Sequence, residues 1–329
     1  MNTSSISDNI LDWYDNNKRD LPWRKPRSKE QSHYFTLVSE VMLQQTQVKT
    51  VIPYFKRFIN EIPNMSILAN INEKKLLKLW EGLGYYSRAR NLKKIAKLIS
   101  KNKNNLLPNS IIELKKLPGI GEYTSRAILA LEFNEKVIPL DGNIERLIKR
   151  VLLIKNKKDL EKKNLMSKVN YFGFAIRQRD YVQALMELGA LVCKPIEPLC
   201  HQCPITHNCN SFRKSDFTIK KKLKTNKIKY FKADIYFNNN KMLLIKNQKF
   251  KFLKNLLIFP MNEIKEYDFK TSIKKKTKIK MSNMDMKIII NKNNKMPNKE
   301  GRLINLKNAN NKVIPSFTKK LLRLALSEK

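Results

Sequence analysis

The sequence predicts a mainly α-helical chain that ends in a small α+β domain. Three observations carry that expectation. Apolar residues recur at three- and four-residue spacing through most of residues 1–210, and a glycine turn, Leu117-Pro-Gly-Ile-Gly121, separates two such runs. Beyond residue 230 the pattern changes to short alternating or wholly apolar stretches.

Leu11, Trp13 and Tyr14 begin an amphipathic helix that stops before Leu21-Pro22-Trp23-Arg24, because proline cannot continue a helix and restricts the residue before it. Trp23 reads most simply as a core or lid residue; beside Arg24 its flat ring could also line a pocket for a base. From Tyr34 to Phe58, residues Phe35, Val38, Val41, Met42, Val48, Val51 and Ile52 keep helical spacing, with interruptions at Gln44-Gln45-Thr46-Gln47 and at Pro53. The polar break offers amides that can bond base edges or fill a gap in a duplex. Glu40, among Val38, Val41 and Met42, is expected to be partly desolvated with its proton affinity raised, although an isolated Glu is more often a surface or cap residue. Helices over 73–81, 89–100 and 110–117 follow. Between the first two lie Gly82-Leu-Gly-Tyr-Tyr86 and Ser87-Arg88-Ala89-Arg90. Glycines, tyrosines and arginines in one loop suit a surface pressed on bases and phosphates. They equally suit a tight connection with one tyrosine packed inward.

At Leu117-Pro-Gly-Ile-Gly121 the two glycines are expected to turn the chain through positive φ and to leave bare N–H groups at the start of the next helix. That is an anion seat, and in a basic protein the anion is a backbone phosphate. About twenty residues on, after Val137, Ile138, Pro139 and Leu140, stands Asp141-Gly142-Asn143. A carboxylate just past a phosphate seat points to chemistry on the nucleotide held there; alone, each piece reads as a turn or a helix cap. Helices over 147–153 and 181–191 come next, and the second leads into Cys193-x6-Cys200-x2-Cys203-x5-Cys209. These are the 4 cysteines of the chain, and in a reducing compartment their clustering favours one metal centre over disulfides. Spacing alone leaves zinc and an iron–sulfur cluster both open, with His201 and His207 as bystanders.

Ser211 to Lys229, with Lys220-Lys-Lys222 near its middle, reads as a basic linker. Ala233–Phe237, Met242–Ile245 and Met286–Ile290 read as strands and Ser316–Leu326 as a terminal helix. The domains are thus residues 1–210, a linker over 211–229, and a small α+β domain over 230–329. A length of 329 residues allows two cores. The net charge of +39 points to a polyanion partner. It is uneven: residues 1–210 hold 35 Lys and Arg against 20 Asp and Glu, and residues 211–329 hold 32 against 8. Part of the excess reflects a chain rich in Lys, Asn and Ile throughout. Neither a signal peptide nor a run of 18 apolar residues is present, so a soluble cytoplasmic protein is expected.

Together, Ser39-Glu-Val-Met-Leu-Gln-Gln-Thr-Gln47, Gly82-Leu-Gly-Tyr-Tyr-Ser-Arg-Ala-Arg90, Leu117-Pro-Gly-Ile-Gly121, Leu140-Asp-Gly-Asn143 and the cysteine spacing closely resemble the MutY-type adenine DNA glycosylases, a branch of the helix-hairpin-helix base-excision superfamily. The likeness spans residues 8–210. It implies two helical subdomains with the active site in the cleft between them, and a 4Fe-4S cluster on Cys193, Cys200, Cys203 and Cys209. It further implies a monomer acting, in the bacterial cytoplasm and at the nucleoid, on double-stranded DNA that carries adenine opposite 8-oxoguanine or guanine. By resemblance Glu40 is the acid, Asp141 the carboxylate that stabilises the sugar cation, and Asn143 its neighbour. Gln45 and Tyr85, with Leu43 beside them, fill or wedge the duplex. Arg88, Gly119 and Gly121 join the DNA-binding set, and Trp23, Arg24 and Gln183 line the adenine pocket.

The chief rival is the endonuclease III type, which carries a nucleophilic Lys just after the hairpin. Tyr123 stands in that place among the catalytic residues, so base removal with little strand cleavage is expected. The C-terminal domain more faintly resembles the family's Nudix-like lesion-recognition module. Phe252-Leu-Lys-Asn-Leu-Leu-Ile-Phe-Pro260 matches an aromatic and proline segment there, and Met281-Ser282-Asn283 stands where relatives often carry Phe-Ser-His. A glutamate-rich phosphohydrolase box is lacking, so nucleotide hydrolysis is not expected. A non-catalytic DNA binder built on the same scaffold is a reading of another class, and the presence of both Glu40 and Asp141 argues against it.

Overall fold

A computed structural model of the chain describes residues 5–101, 105–156, 159, 161–217, 226–238, 240–281, 284–295, 297, 301–307 and 312–327, with the side chains of Lys162 and Asn238 outside that description. The chain forms two compact units, Met1–Asn70 with Asn91–Lys221, and Ile71–Arg90 with Lys222–Lys329.

In the first unit, helix α1 (Ile6–Asn17) starts at a capping box in which Ser5 and Asp8 satisfy each other's backbone N–H groups. Helix α2 (Lys29–Leu43) is buried on every side from Ser32 to Met42, as a central core helix must be. It ends at Gln44-Gln45-Thr46-Gln47, where Gln45 takes a φ of +58°, and α3 (Val48–Glu61) follows. Pro53 does not interrupt α3, contrary to expectation. The ring faces solvent and forfeits one backbone bond, a loss that burial of Val51, Phe55 and Phe58 offsets. Helix α4 (Met65–Asn70) was not anticipated, since six residues are too few for periodicity to show. Helices α5 (Glu73–Leu79) and α6 (Ser87–Ile99) come next in the chain, followed by α7 (Ile111–Lys116) and α8 (Glu122–Phe133).

The hairpin between α7 and α8 turns on Gly119, whose φ is +85°; a Cβ there would stand 2.7 Å from Asn91 Nδ2. Gly121 has a φ of −102° and is the extended N-cap residue of α8, so the expected positive φ holds for Gly119 alone. One left-handed residue suffices to reverse the chain, and an N-cap normally lies in the β region. Helices α9 (Gly142–Val151), α10 (Lys162–Lys168), α11 (Gln178–Glu187) and α12 (Asn210–Arg213) complete the unit, and a π-helical turn over Leu188–Val192 carries α11 to Cys193. Ile10, Tyr14, Ile144, Leu147, Tyr181 and Leu185 form part of one core that holds α1, α9 and α11 together.

The second unit is built on a mixed sheet of β1 (Lys227–Asn238), β2 (Lys241–Lys246), β3 (Leu257–Ile258), β4 (Met261–Ile264), β5 (Lys276–Met281), β6 (Met284–Asn293) and β7 (Arg302–Asn305). The order is β3-β2-β1-β6-β5, with β4 also on β1 and β7 also on β2. Strands β1 and β6 run parallel with Phe231 opposite Ile288, and the other pairs are antiparallel. Phe231, Ile235, Leu244 and Ile288 make its core with Phe317 and Leu321 of α14 (Ser316–Leu326); α13 (Glu266–Thr271) also lies in this unit. Glu81, just after α5, pairs with Lys319 of α14 and with Lys78, which ties Ile71–Arg90 to the sheet unit. Residues 218–225 of the expected linker, and Ser282 and Asn283, lie outside the described residues. Among the described residues no helix is long and apolar enough to cross a membrane.

Candidate active site

Helix α2 delivers Glu40 from a buried face, and the residue is 7% exposed. Its carboxyl is raised from 4.5 to about 7, chiefly by burial. The nearby charge of Asp141 raises it further, while a hydrogen bond from the Tyr123 hydroxyl pulls it down. Burial likewise pushes the Tyr123 phenol well above its ordinary value, so it stays a neutral donor. Glu40, Tyr123 and Asp141 line one open cavity of about 680 Å³, within the size range of pockets that enclose small molecules.

Asp141 is the N-cap of α9: its Oδ1 accepts from the N–H groups of Asn143 at 3.0 Å and Ile144 at 2.7 Å. Its Oδ2 accepts from Asn143 Nδ2 at 3.0 Å. The cap reading is therefore right, and the same carboxylate also borders the cavity. Burial raises its pKa in spite of these bonds, which lower it. Asn143 is held in turn by Arg146, whose Nη2 donates to Asn143 Oδ1 at 2.9 Å and to the Gly189 carbonyl at 2.5 Å, and whose Nε donates to the Cys193 carbonyl at 2.6 Å. A Cβ on Gly189 would lie 2.6 Å from Asn143 Cβ, so only glycine lets the turn after α11 pack this closely on the start of α9.

Trp23, Arg24, Leu43, Gln45, Asn143 and Gln183 line the same cavity. Trp23 sits edge-on to Phe55 at 5.5 Å. Arg24 Nη2 and Arg19 Nε donate at 2.8 and 2.6 Å to Glu187, whose side chain is 1% exposed. Sequence reasoning missed Arg19, Arg179 and Glu187 as lining residues. A signal for Glu187 existed, since it lies one helical turn beyond Gln183 and therefore on the same face of α11.

Other expected residues lie elsewhere. Gly119 and Gly121 form the hairpin and are not among the cavity's lining. Tyr85 and Arg88 belong to the sheet unit. There Tyr86 packs inward, while Tyr85, at a φ of +45°, is 42% exposed. Arg88 is buried: its Nη2 donates to the carbonyls of Leu83 at 2.9 Å and Gly84 at 3.3 Å, and its guanidinium lies over the rings of Trp80 and Tyr85. This inward bonding satisfies the buried turn carbonyls of Leu83 and Gly84, so Arg88 fixes the loop from within. Tyr85 lines a groove with Phe250, Phe252, Lys229 and Lys251, in which Phe250 and Phe252 stack 4.9 Å apart.

Cys193, Cys200, Cys203 and Cys209 line one mainly apolar cavity with Leu147, Val192, Ile205 and Phe217. Burial pushes the Cys203 thiol up to about 11 and those of Cys200 and Cys209 upward as well. Arg150 Nη1 donates to Cys193 Sγ at 3.3 Å. Among the described residues no group of three or more His, Cys, Asp or Glu is arranged to hold a single metal ion.

Residues 38–170 match the family described as HhH-GPD superfamily base excision DNA repair protein. The chain is 38% identical over 291 residues to the adenine DNA glycosylase of Buchnera aphidicola subsp. Baizongia pistaciae, covering 86% of this chain and 81% of that protein. It is 39% identical over 238 residues to the adenine DNA glycosylase of Arabidopsis thaliana, covering 65% of this chain and 38% of that protein. Among solved structures it resembles a thermostable thymine-DNA glycosylase, with a TM-score of 0.55 at 24% identity over 63% of this chain and 95% of that one. It also resembles a trapped endonuclease III–DNA covalent intermediate, with a TM-score of 0.52 at 21% identity over 64% and 95%.

Proposed function

Since this chain belongs to the adenine DNA glycosylase family, within the HhH-GPD superfamily of base excision DNA repair proteins, we propose that it hydrolyses the N-glycosidic bond of adenine mispaired with 8-oxoguanine or guanine in double-stranded DNA. The observation that carries this reading is the pair of carboxyl groups, Glu40 and Asp141, at one cavity, with the Glu40 proton held to about pH 7. The adenine is rotated out of the stack into the cavity, since no side chain reaches its glycosidic bond inside the duplex. Adenine leaves poorly, so Glu40 protonates its imidazole-side ring nitrogen as the bond lengthens. Asp141, both oxygens fixed by the start of α9, faces the positive charge that grows on the sugar, and water then completes the hydrolysis.

Tyr123 offers no amine, so base removal proceeds with little strand cleavage. Arg24 and Gln183, with Trp23, recognise the base. Leu43, Gln45 and Tyr85 support the opened duplex, the Gly119–Gly121 hairpin holds a backbone phosphate, and Arg88 stiffens the loop that presents Tyr85. The four cysteines fit a 4Fe-4S cluster, since thiolates are its usual ligands and the cavity wall is apolar. When bound, the cluster cross-links the loop from Cys193 to Cys209. Residues 230–329, reached through a linker over 211–229, form a Nudix-like module that reads the lesion; the aromatic and lysine groove beside Tyr85 supports this. The protein acts as a monomer in the bacterial cytoplasm, at the nucleoid.

The test is single-turnover release of adenine, scored also as alkali-labile sites, from a duplex with adenine opposite 8-oxoguanine. Glu40→Gln and Asp141→Asn are each expected to slow release by about 100-fold or more. Wild-type rates in both variants would remove these roles, and efficient borohydride trapping of a protein–DNA adduct would remove the monofunctional assignment.

A further inference from the structure

A groove of about 840 Å³ in the sheet unit collects cations from distant parts of the chain: Lys74, Lys75 and Lys78 of α5, Lys246 of β2, Arg302 of β7, and Lys312 just before α14. Glu73 is the one acid among its lining residues, and it is taken by Arg90 Nε at 2.8 Å. Lys78 is paired with Glu81. Among the described residues, Lys74, Lys246, Arg302 and Lys312 have no acidic partner within ion-pair distance. The register sets Arg302 opposite Leu244, two residues along β2 from Lys246, so two like charges stand side by side at one end of the ladder. Folding this groove therefore costs repulsion that the pairs of Glu73 with Arg90 and Glu81 with Lys78 offset only in part, and a bound polyanion would relieve the rest.

The lining also limits the ligand. Its floor is Leu77, Leu79, Leu256, Leu257 and Val313, and no aromatic ring is among its lining residues. Without a ring there is nothing for a base to stack on, in contrast to the Phe250 and Phe252 groove. We propose that this groove is an auxiliary site for the phosphodiester backbone of duplex DNA, indifferent to sequence and lesion, which holds undamaged duplex. The proposal rests on the reading of the protein as a DNA enzyme and adds a contact surface that the excision chemistry does not use.

The experiment compares two full-length variants of equal charge. One carries Lys74→Glu, Lys246→Glu, Arg302→Glu and Lys312→Glu; the other carries Lys265→Glu, Lys276→Glu, Lys278→Glu and Lys292→Glu, on residues outside the groove. Affinity for an undamaged duplex is measured between 50 and 200 mM salt. Each lost phosphate contact flattens the log–log salt slope by about 0.9, so the groove variant should lose about 3 to 4 from the slope and the control less than about 1. An unchanged slope in the groove variant, or an equal change in the control, overturns the proposal. Should the groove variant fail to fold by circular dichroism, the Lys→Gln and Arg→Gln set is read in the same way. Adenine release by the wild-type protein under enzyme excess is followed alongside: its failure sinks the glycosylase reading and leaves the slope comparison standing.

Discussion

Glu40 is subject to two neighbours that push its proton in opposite directions, and this makes its role testable without relying on loss of rate alone. The Tyr123 hydroxyl stabilises the carboxylate and lowers the pKa, while the Asp141 charge destabilises it and raises the pKa. An acid must be protonated to act, so the rate should fall as pH rises through about 7. Tyr123→Phe should then move that falling limb to higher pH, and Asp141→Asn should move it to lower pH. Single-turnover profiles from pH 5 to 9 read both, and limbs that stay in place or move together would detach Glu40 from the observed titration. The same burial acts on stability. With a folded pKa raised above its ordinary value of 4.5 to about 7, the contribution is fully present below about 4.5 and is lost as pH rises through 7. Ionised Glu40 therefore costs the fold about 3 kcal/mol above pH 7. Glu40→Gln should be the more stable protein at pH 8 in urea unfolding, with the difference gone near pH 4.

Short elements decide how the site is presented, and the hairpin shows it at two glycines with one residue between them. Gly119 needs its left-handed conformation, and a Cβ there meets Asn91, so Gly119→Ala should cost about 1–2 kcal/mol of stability. Gly121 is extended, and a Cβ on it would have nothing within 4 Å. Gly121→Ala should leave the melting temperature within a degree or two yet weaken duplex binding, if a phosphate approaches that backbone. Unchanged binding would mean that this N-cap holds no phosphate. Gly119 and Gly121 looked equivalent in the sequence, because composition shows where a turn is allowed and not which residue takes it. Legibility followed length in the rest of the fold. The long helices α2, α3, α6 and α11 could be read from apolar spacing, as could β1 and β6. The short elements α4, α10, β3 and β4 could not, because so few residues show too little periodicity, although α5, α7 and β2, of six or seven residues, were read from their apolar runs and the turns beside them. In the site, Glu40 was legible because its own neighbours in sequence are the ones that bury it. Glu187 was not, because its partners Arg19 and Arg24 come from more than 160 residues away.

For the whole molecule the dominant quantity is the net charge of +39, which acts with opposite signs on the free and the bound protein. In the free protein like-charge repulsion outweighs attraction, since 67 Lys and Arg face 28 Asp and Glu. The recorded ion pairs, such as Arg177 with Asp15 and Lys229 with Glu263, are mostly exposed and individually weak. Raising salt from about 50 to 200 mM shortens the screening length from about 14 to 7 Å, which weakens repulsion spread over the surface more than attraction within close pairs. The melting temperature of the free protein should accordingly rise by a few degrees across that range. Binding to duplex DNA should respond the other way, falling by about 1,000-fold if six or more phosphates are neutralised, because the counterions released on binding are released into a saltier solution. Differential scanning calorimetry and a binding titration in the same buffers measure the two effects. A melting temperature that falls with salt would mean that the close pairs, and not the excess of cations, set the electrostatic balance of the fold.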